Sequence, residues 1–157
     1  MKKALKATQQ EFESSTGKTP EYLAWHRLFK KEFTEFLTNF LGCTKVEISK
    51  PNHFDMSGFF QRPSGQIWYF RIGDIRWSKD KMLLRTAESF SDFTGGTNQY
   101  VSLKNEIDFT FQFRKLIRVQ DELLAYMQSK LEDTIKSESG VTRHTSARLL
   151  VITSGIL

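Results

Sequence analysis

A chain of 157 residues is long enough to bury its own core, and 39% hydrophobic with 26% charged residues is the balance of a water-soluble domain. The single cysteine, Cys43, excludes an internal disulfide and a multi-thiolate zinc cage, and no apolar run approaches the roughly 18 residues of a membrane span. A net charge of +5 without a basic tail is compatible with an acidic partner such as nucleic acid but does not require one.

The first residues, "MKKALKATQQEFESS", carry lysines but no apolar segment of the signal-peptide kind, so a cytoplasmic location is expected. Residues 1–18 form a polar N-terminal segment that could make a loose helix ending at Gly17. A strong helix follows over 20–41. Thr19 is its N-cap, Pro20 its first position, and Glu21 lies near the positive end of the dipole. Tyr22, Trp25, Phe29, Phe33, Phe36 and Phe40 recur at spacings of three and four, and Gly42 caps the end. Arg27, Lys30, Lys31 and Glu35 fall on the opposite face. That face is either ordinary solvated surface or a ridge that grips phosphate.

Residues 44–87 alternate as strands: "KVEIS", "HFDMSGFFQ", "QIWYFRIGDIRW" and "KMLLRTA", broken by turn residues around Pro51-Asn52, Arg62–Gly65 and Ser78–Asp80. Tight turns pairing Arg62 with Gly65 and Trp77 with Met82 place both His53 and Arg85 opposite Asp74. One face then gathers His53, Asp55, Asp74, Arg76 and Arg85, with Phe59, Trp68, Phe70 and Leu83 further along. The other face gathers Phe54, Met56, Phe60, Ile67, Tyr69, Ile75, Met82 and Leu84, and should take the helices. The chain becomes helical again from about 109–114 to 136, with a polar linker and an apolar tail or added strand over 138–157. The expected fold is α+β: one domain over 19–137, with a three- or four-stranded antiparallel sheet against an N-terminal and a C-terminal helix.

Two places carry possible chemistry. In the first, Asp74 is an acid satisfied by Arg76 and Arg85, or the arginines and Trp68 and Phe70 form a stacking, phosphate-gripping surface. The order Asp55 … Asp74-Ile75-Arg76 also resembles the PD-(D/E)xK nucleases, in which Asp55 and Asp74 would hold a divalent metal. Here arginine replaces the family's lysine; it can hold a phosphate but cannot serve as a base. The second place is "DFTGGTNQY". Gly95 and Gly96 can expose backbone N–H groups beside Thr94, Asn98 and Gln99, which suits an anion or a base edge. Without a lysine at P-loop spacing, nucleotide hydrolysis is not indicated.

"HFDMSGFF", "WYFRIGDIRW" and "LLRTAESFSDFTGGTNQY" together resemble an uncharacterised family of small proteins carried by phages, plasmids and integrative elements. The resemblance covers about residues 25–115, and its most specific part is "RTA" followed by "DFTGGTNQY". It implies an accessory role, such as binding nucleic acid or inhibiting a host nucleoprotein complex of the restriction or CRISPR kind, and brings no catalytic residues. The favoured expectation is therefore non-catalytic binding of nucleic acid or of such a complex, without cofactor, metal or membrane. Arg76, Arg85, Thr94, Gly95, Gly96, Asn98, Gln99, Lys30 and Lys31 are the candidate contacts. A metal-dependent nuclease using Asp55, Asp74 and Arg76 is the competing class.

Overall fold

The Thr19-Pro20-Glu21 signal starts a helix in the structure, a computed structural model that describes residues 1–13 and 17–140. Thr19 Oγ1 accepts the Tyr22 N–H at 3.2 Å, and the helix, α2, runs Pro20–Glu35 before a π-helical turn over Phe36–Phe40. A short helix, α1 (Lys2–Thr8), packs on α2 where Trp25 Nε1 donates to Thr8 Oγ1 at 2.9 Å. The N-terminal segment is thus less purely polar in role than its sequence suggests, since Ala4, Leu5 and Thr8 are buried.

Five strands follow: β1 (Lys45–Ile48), β2 (Met56–Gln61), β3 (Ile67–Ile72), β4 (Lys81–Ala87) and β5 (Gln99–Ser102). They form one antiparallel sheet in sequence order. The architecture is α+β as expected, with one strand more. β5 is only four residues long and follows a loop of turn residues, so its alternation is too brief to register in the sequence. Helix α3 (Glu106–Ser139) starts earlier than the pattern from Phe109 indicates. Asn105 Oδ1 accepts the Asp108 N–H at 2.8 Å and fixes that start. Phe109 and Phe113 are buried while Ile107 and Phe111 are exposed, so the strand-like alternation there is incidental to a helix. The chain divides into two compact units, Met1–Phe113 and Arg114–Leu157. The C-terminal strand or tail expected after 140 lies outside the described residues.

Within Met1–Phe113 the helices cover one face of the sheet. Phe33 on α2 meets the rings of Phe60 and Phe70 on β2 and β3 and of Phe109 and Phe113 on α3, with centroids 4.9–6.5 Å apart. All five are fully buried. Truncating such a ring costs about 3–5 kcal/mol. Cys43 is also buried, and burial pushes its thiol up to about 11, which fits a small core residue rather than a reactive one.

The strand register departs from the sequence expectation, and the turns explain why. Arg62 N–H donates to Gln66 O and Gly65 N–H to Arg62 O, both at 2.9 Å, with Gly65 at φ 89°. This is a three-residue hairpin loop closed by a left-handed glycine, not a two-residue turn. Gln61 therefore pairs with Ile67 and Met56 with Ile72. After β3 the chain leaves the sheet at Ile72, so Arg71 pairs with Leu83 and Tyr69 with Arg85. Both shifts are odd, which turns β3 over relative to its neighbours. Met56, Phe60, Met82 and Leu84 face the helices as expected, but they are joined by Trp68, Phe70 and Ile72, while Ile67 and Tyr69 face away.

Gly58 lies on the helix-facing side of β2, opposite Ile48 and Phe70. A Cβ there would stand 2.0 Å from Glu47 O and 2.8 Å from the Phe70 ring. Gly58→Ala should therefore destabilise the protein by about 2–3 kcal/mol, because strand backbone and a packed ring must move together. Denaturant unfolding measures this directly, and a loss below about 0.5 kcal/mol would contradict the close approach.

His26 is buried on α2, its Nε2 without a hydrogen-bond partner among the described residues. Burial, reinforced by the nearby Lys30 charge, holds its pKa below the ordinary 6.5, although a backbone hydrogen bond with Ser49 opposes the shift. The unfolded chain then takes up the proton first, so stability is fully present above the ordinary value and is lost as pH falls below it. The Tm should fall between about pH 7 and pH 5.5, and His26→Gln should flatten that slope. Equal slopes in both proteins would show that His26 is not the group responsible.

Candidate functional site

The turn of β3 decides which side chains the sheet presents on its helix-free face. Lys45, Phe59, Tyr69, Arg71, Lys81, Leu83, Arg85 and Tyr100 occupy paired or same-face positions there. Phe90 and Phe93, from the segment between β4 and β5, cover part of it by packing on Phe59 at 5.7 and 5.2 Å. Three cations lie over rings: Arg85 over Tyr69 at 4.5 Å, Lys81 over Tyr100 at 4.5 Å and Lys45 over Phe90 at 4.2 Å. Tyr69 is only 7% exposed beneath its cover, whereas Phe93 at 58% and Tyr100 at 50% are open to a ligand. Arg85 Nη1 approaches Asn98 Oδ1 at 3.5 Å, and its buried Nε has no hydrogen-bond partner among the described residues.

At one end this face runs into a cleft of about 510 Å³ whose lining includes Lys18, Lys50, Asn52, His53, Tyr69 and Arg71. The turn forming the cleft wall is unusual. His53 and Phe54 both have left-handed φ, 46° and 64°, and a bridge pairs Asn52 with Asp55. Tyr22 holds the turn from α2: its hydroxyl donates to Asp55 O at 2.9 Å and accepts the Asn52 N–H at 3.1 Å.

The acid-and-arginine cluster expected from the sequence is divided. Asp74 lies beyond the end of β3, where its main-chain O accepts from Trp77 and Ser78 at 2.9 and 2.7 Å. Its carboxylate accepts from Arg76 Nε at 2.9 Å and from the Arg76 N–H at 3.0 Å. Those hydrogen bonds hold Asp74 below the usual carboxylate range, against the opposing effect of burial. Arg76 also caps the buried Phe54 ring at 4.2 Å. Arg85 belongs instead with Tyr69, so the expected Asp74–Arg85 neighbours on adjacent strands are not formed. Asp55 pairs with Arg71 Nη2 at 3.0 Å, and His53 stands exposed in its turn. Among the described residues no group of three or more His, Cys, Asp or Glu is arranged to hold a metal. Asp55 and Asp74 each engage an arginine of their own, an arrangement unlike the strand-borne acid pair of the nuclease pattern.

Trp68 and Phe70, the expected stacking rings, are buried under the helices. Lys30 and Lys31 are exposed on α2, and that helix packs on the other side of the sheet. In the glycine loop Asp92 takes up the donors that an anion would need. Its carboxylate accepts the N–H groups of Glu88, Gly95 and Thr94 at 2.9, 2.8 and 3.2 Å. Those bonds, chiefly the one from Glu88, keep Asp92 ionised below the usual carboxylate range. Gly96 is required by its φ of 77° and by Thr86 O, which a Cβ would meet at 2.5 Å. Thr94 and Asn98 stay exposed, and Gln99 is the first residue of β5, not part of the loop. Lys45, Arg71, Lys81, Phe93 and Tyr100 are the site residues the sequence reading omits. Lys81, Leu83 and Arg85 do alternate visibly, but Tyr100 joins them only once β5 is known.

The chain matches no family model, and neither curated proteins nor solved structures show significant similarity to it. Among the described residues no helix is long and apolar enough to cross a membrane.

Asp92→Ala should speed amide hydrogen exchange at Glu88, Thr94 and Gly95 while hardly changing the Tm. Unaltered protection at those three amides would mean that the carboxylate does not hold the loop.

Proposed function

We propose that this protein is a non-catalytic, cytoplasmic accessory protein of the mobile-element kind that residues 25–115 resemble, and that it binds single-stranded nucleic acid on the helix-free face of its sheet. One observation carries the reading: on that face Lys45, Arg71, Lys81 and Arg85 are interleaved with aromatic rings, and three of these cations sit directly over a ring. Phosphates are attracted by the cations, while bases stack on rings whatever their sequence, here Tyr100 and Phe93. The net charge of +5 favours the same class of ligand. Binding of this type is sequence-tolerant and weakens with salt.

Fluorescence anisotropy with labelled single-stranded DNA and RNA tests the reading. Tyr100→Ala should weaken binding by about 1–3 kcal/mol, the worth of one stacked base. Arg71→Glu with Lys81→Glu should weaken it further and lessen its salt dependence, whereas Lys30→Glu with Lys31→Glu should leave it unchanged. The reverse pattern would transfer the site to α2 and make the sheet face incidental. If neither strand binds, a pull-down from host cells with and without nuclease treatment separates a nucleoprotein partner from a nucleic-acid one.

A further inference from the structure

The cleft at one end of the helix-free face holds more positive charge than its own carboxylate balances. Lys18, Lys50, His53 and Arg71 line it, and Asp55 is the one acid in the lining. Asp55 engages Arg71 Nη2 at 3.0 Å, on a guanidinium that is 53% exposed and carries five donors. Asp74, which together with Asp55 acts on Tyr22, is taken up by Arg76. The side chains of Lys18, Lys50 and His53 make no hydrogen bond or ion pair among the described residues. Ser49 and Ser57 add hydroxyls. Ser49 Oγ accepts the Ser57 N–H at 3.1 Å, and its own proton is left for a ligand oxygen.

The backbone that carries His53 is held against its preference. His53 and Phe54, at φ 46° and 64°, are consecutive left-handed residues, and neither is glycine or asparagine. Their surroundings fix them there. Tyr22 grips Asp55 O and the Asn52 N–H, the Phe54 ring is buried beneath Arg76, and Phe54 O accepts the Ile75 N–H at 3.1 Å. With Phe54 turned inward, His53 is exposed on the cleft side. Strain over-determined in this way clusters at ligand sites. A phosphodiester inside a strand offers such a cleft one charge and two free oxygens. A phosphate monoester offers about −1.5 to −2 charge and three oxygens, a closer match to three cations, an imidazole and two hydroxyls. The volume of about 510 Å³ lies in the range of small-ligand sites. Tyr69 belongs both to this lining and, beneath Arg85, to the cationic face.

We propose that the cleft is a phosphate-monoester site. Its source, resting on the single-strand reading of the face, is the terminal phosphate of the bound strand. Internally labelled DNA strands of about ten nucleotides, with a 5′-phosphate, a 3′-phosphate or two hydroxyl ends, test this by anisotropy on the full chain. A phosphorylated strand should bind at least about tenfold tighter than the hydroxyl-ended one, and the preferred end names the source. Lys18→Gln with Lys50→Gln should remove that advantage, as should His53→Asn, which keeps a residue suited to left-handed backbone. Both should leave the hydroxyl-ended strand nearly unaffected, whereas Tyr100→Ala should weaken all three alike. Equal affinity for the three strands overturns the cleft site and spares the face. A preference that survives both variants overturns it too, because the phosphate then lies elsewhere. If no strand binds, the face reading has failed and the cleft is decided separately, by titrating 5′-AMP and 3′-AMP. Amide shifts at Lys50, His53 and Ser57 that vanish in the double lysine variant sustain it as a site for free nucleotide. An unmoved spectrum overturns it.

Discussion

Everything in the first unit depends on the packing of Phe33. Its ring is the point at which α2, the two central strands and the first turns of α3 meet, so no two of these layers can shift without opening space against the third. Close-packed interiors tolerate little of that. Aromatic rings suit such a junction because their edges and faces differ electrostatically, and the tilted and edge-on contacts around Phe33 exploit the difference. The abundance of phenylalanine in the composition is largely this cluster and its continuation along α2.

The same junction explains what was legible beforehand. A helix with apolar residues on one stripe has a single way to face a core, so α2 and its buried side from Tyr22 to Phe33 could be read from spacing and capping alone. Beyond it the π-helical turn buries Leu37 and leaves Phe40, the last of the expected stripe, 44% exposed. β2 and β4 also show one apolar and one mixed face, and their alternation puts Met56, Phe60, Met82 and Leu84 on the side that is buried. β3 is different. "IWYFRI" is apolar or aromatic at nearly every position, so alternation cannot say which side is in. The decision is made by the Pro63–Gly65 loop and by the chain leaving the sheet at Ile72, each a matter of a single residue. Because strand side chains alternate, those local choices move Trp68 and Phe70 inward and Tyr69 and Arg71 outward. The candidate site moves with them.

The cluster around Asp74 carries a related lesson. An acid followed at the second position by arginine is equally the signature of a strand-borne ion pair and of a turn in which the side chains close on one another. The structure takes the second: Asp74 O accepts from Trp77 and Ser78, and the N–H of the buried Ile75 reaches Phe54 O at 3.1 Å. In the same way, two adjacent glycines do not by themselves advertise free N–H groups. Asp92, three residues before Gly95, was the visible signal that the loop had an internal acceptor.

The sheet has a further property that follows from where its cations rest. Its two outer strands, β1 and β5, are the shortest at four residues each, and the longer strands are interior. Short borders offer little backbone for another sheet to extend. A broad aromatic face, however, is itself adhesive. Lys81 and Arg85, held over Tyr100 and Tyr69, put like charge where two such faces would meet, whereas Lys45, over Phe90, is balanced by Glu47 at 3.0 Å. The arrangement thereby acts as a colloidal guard, keeping one molecule's rings from another's.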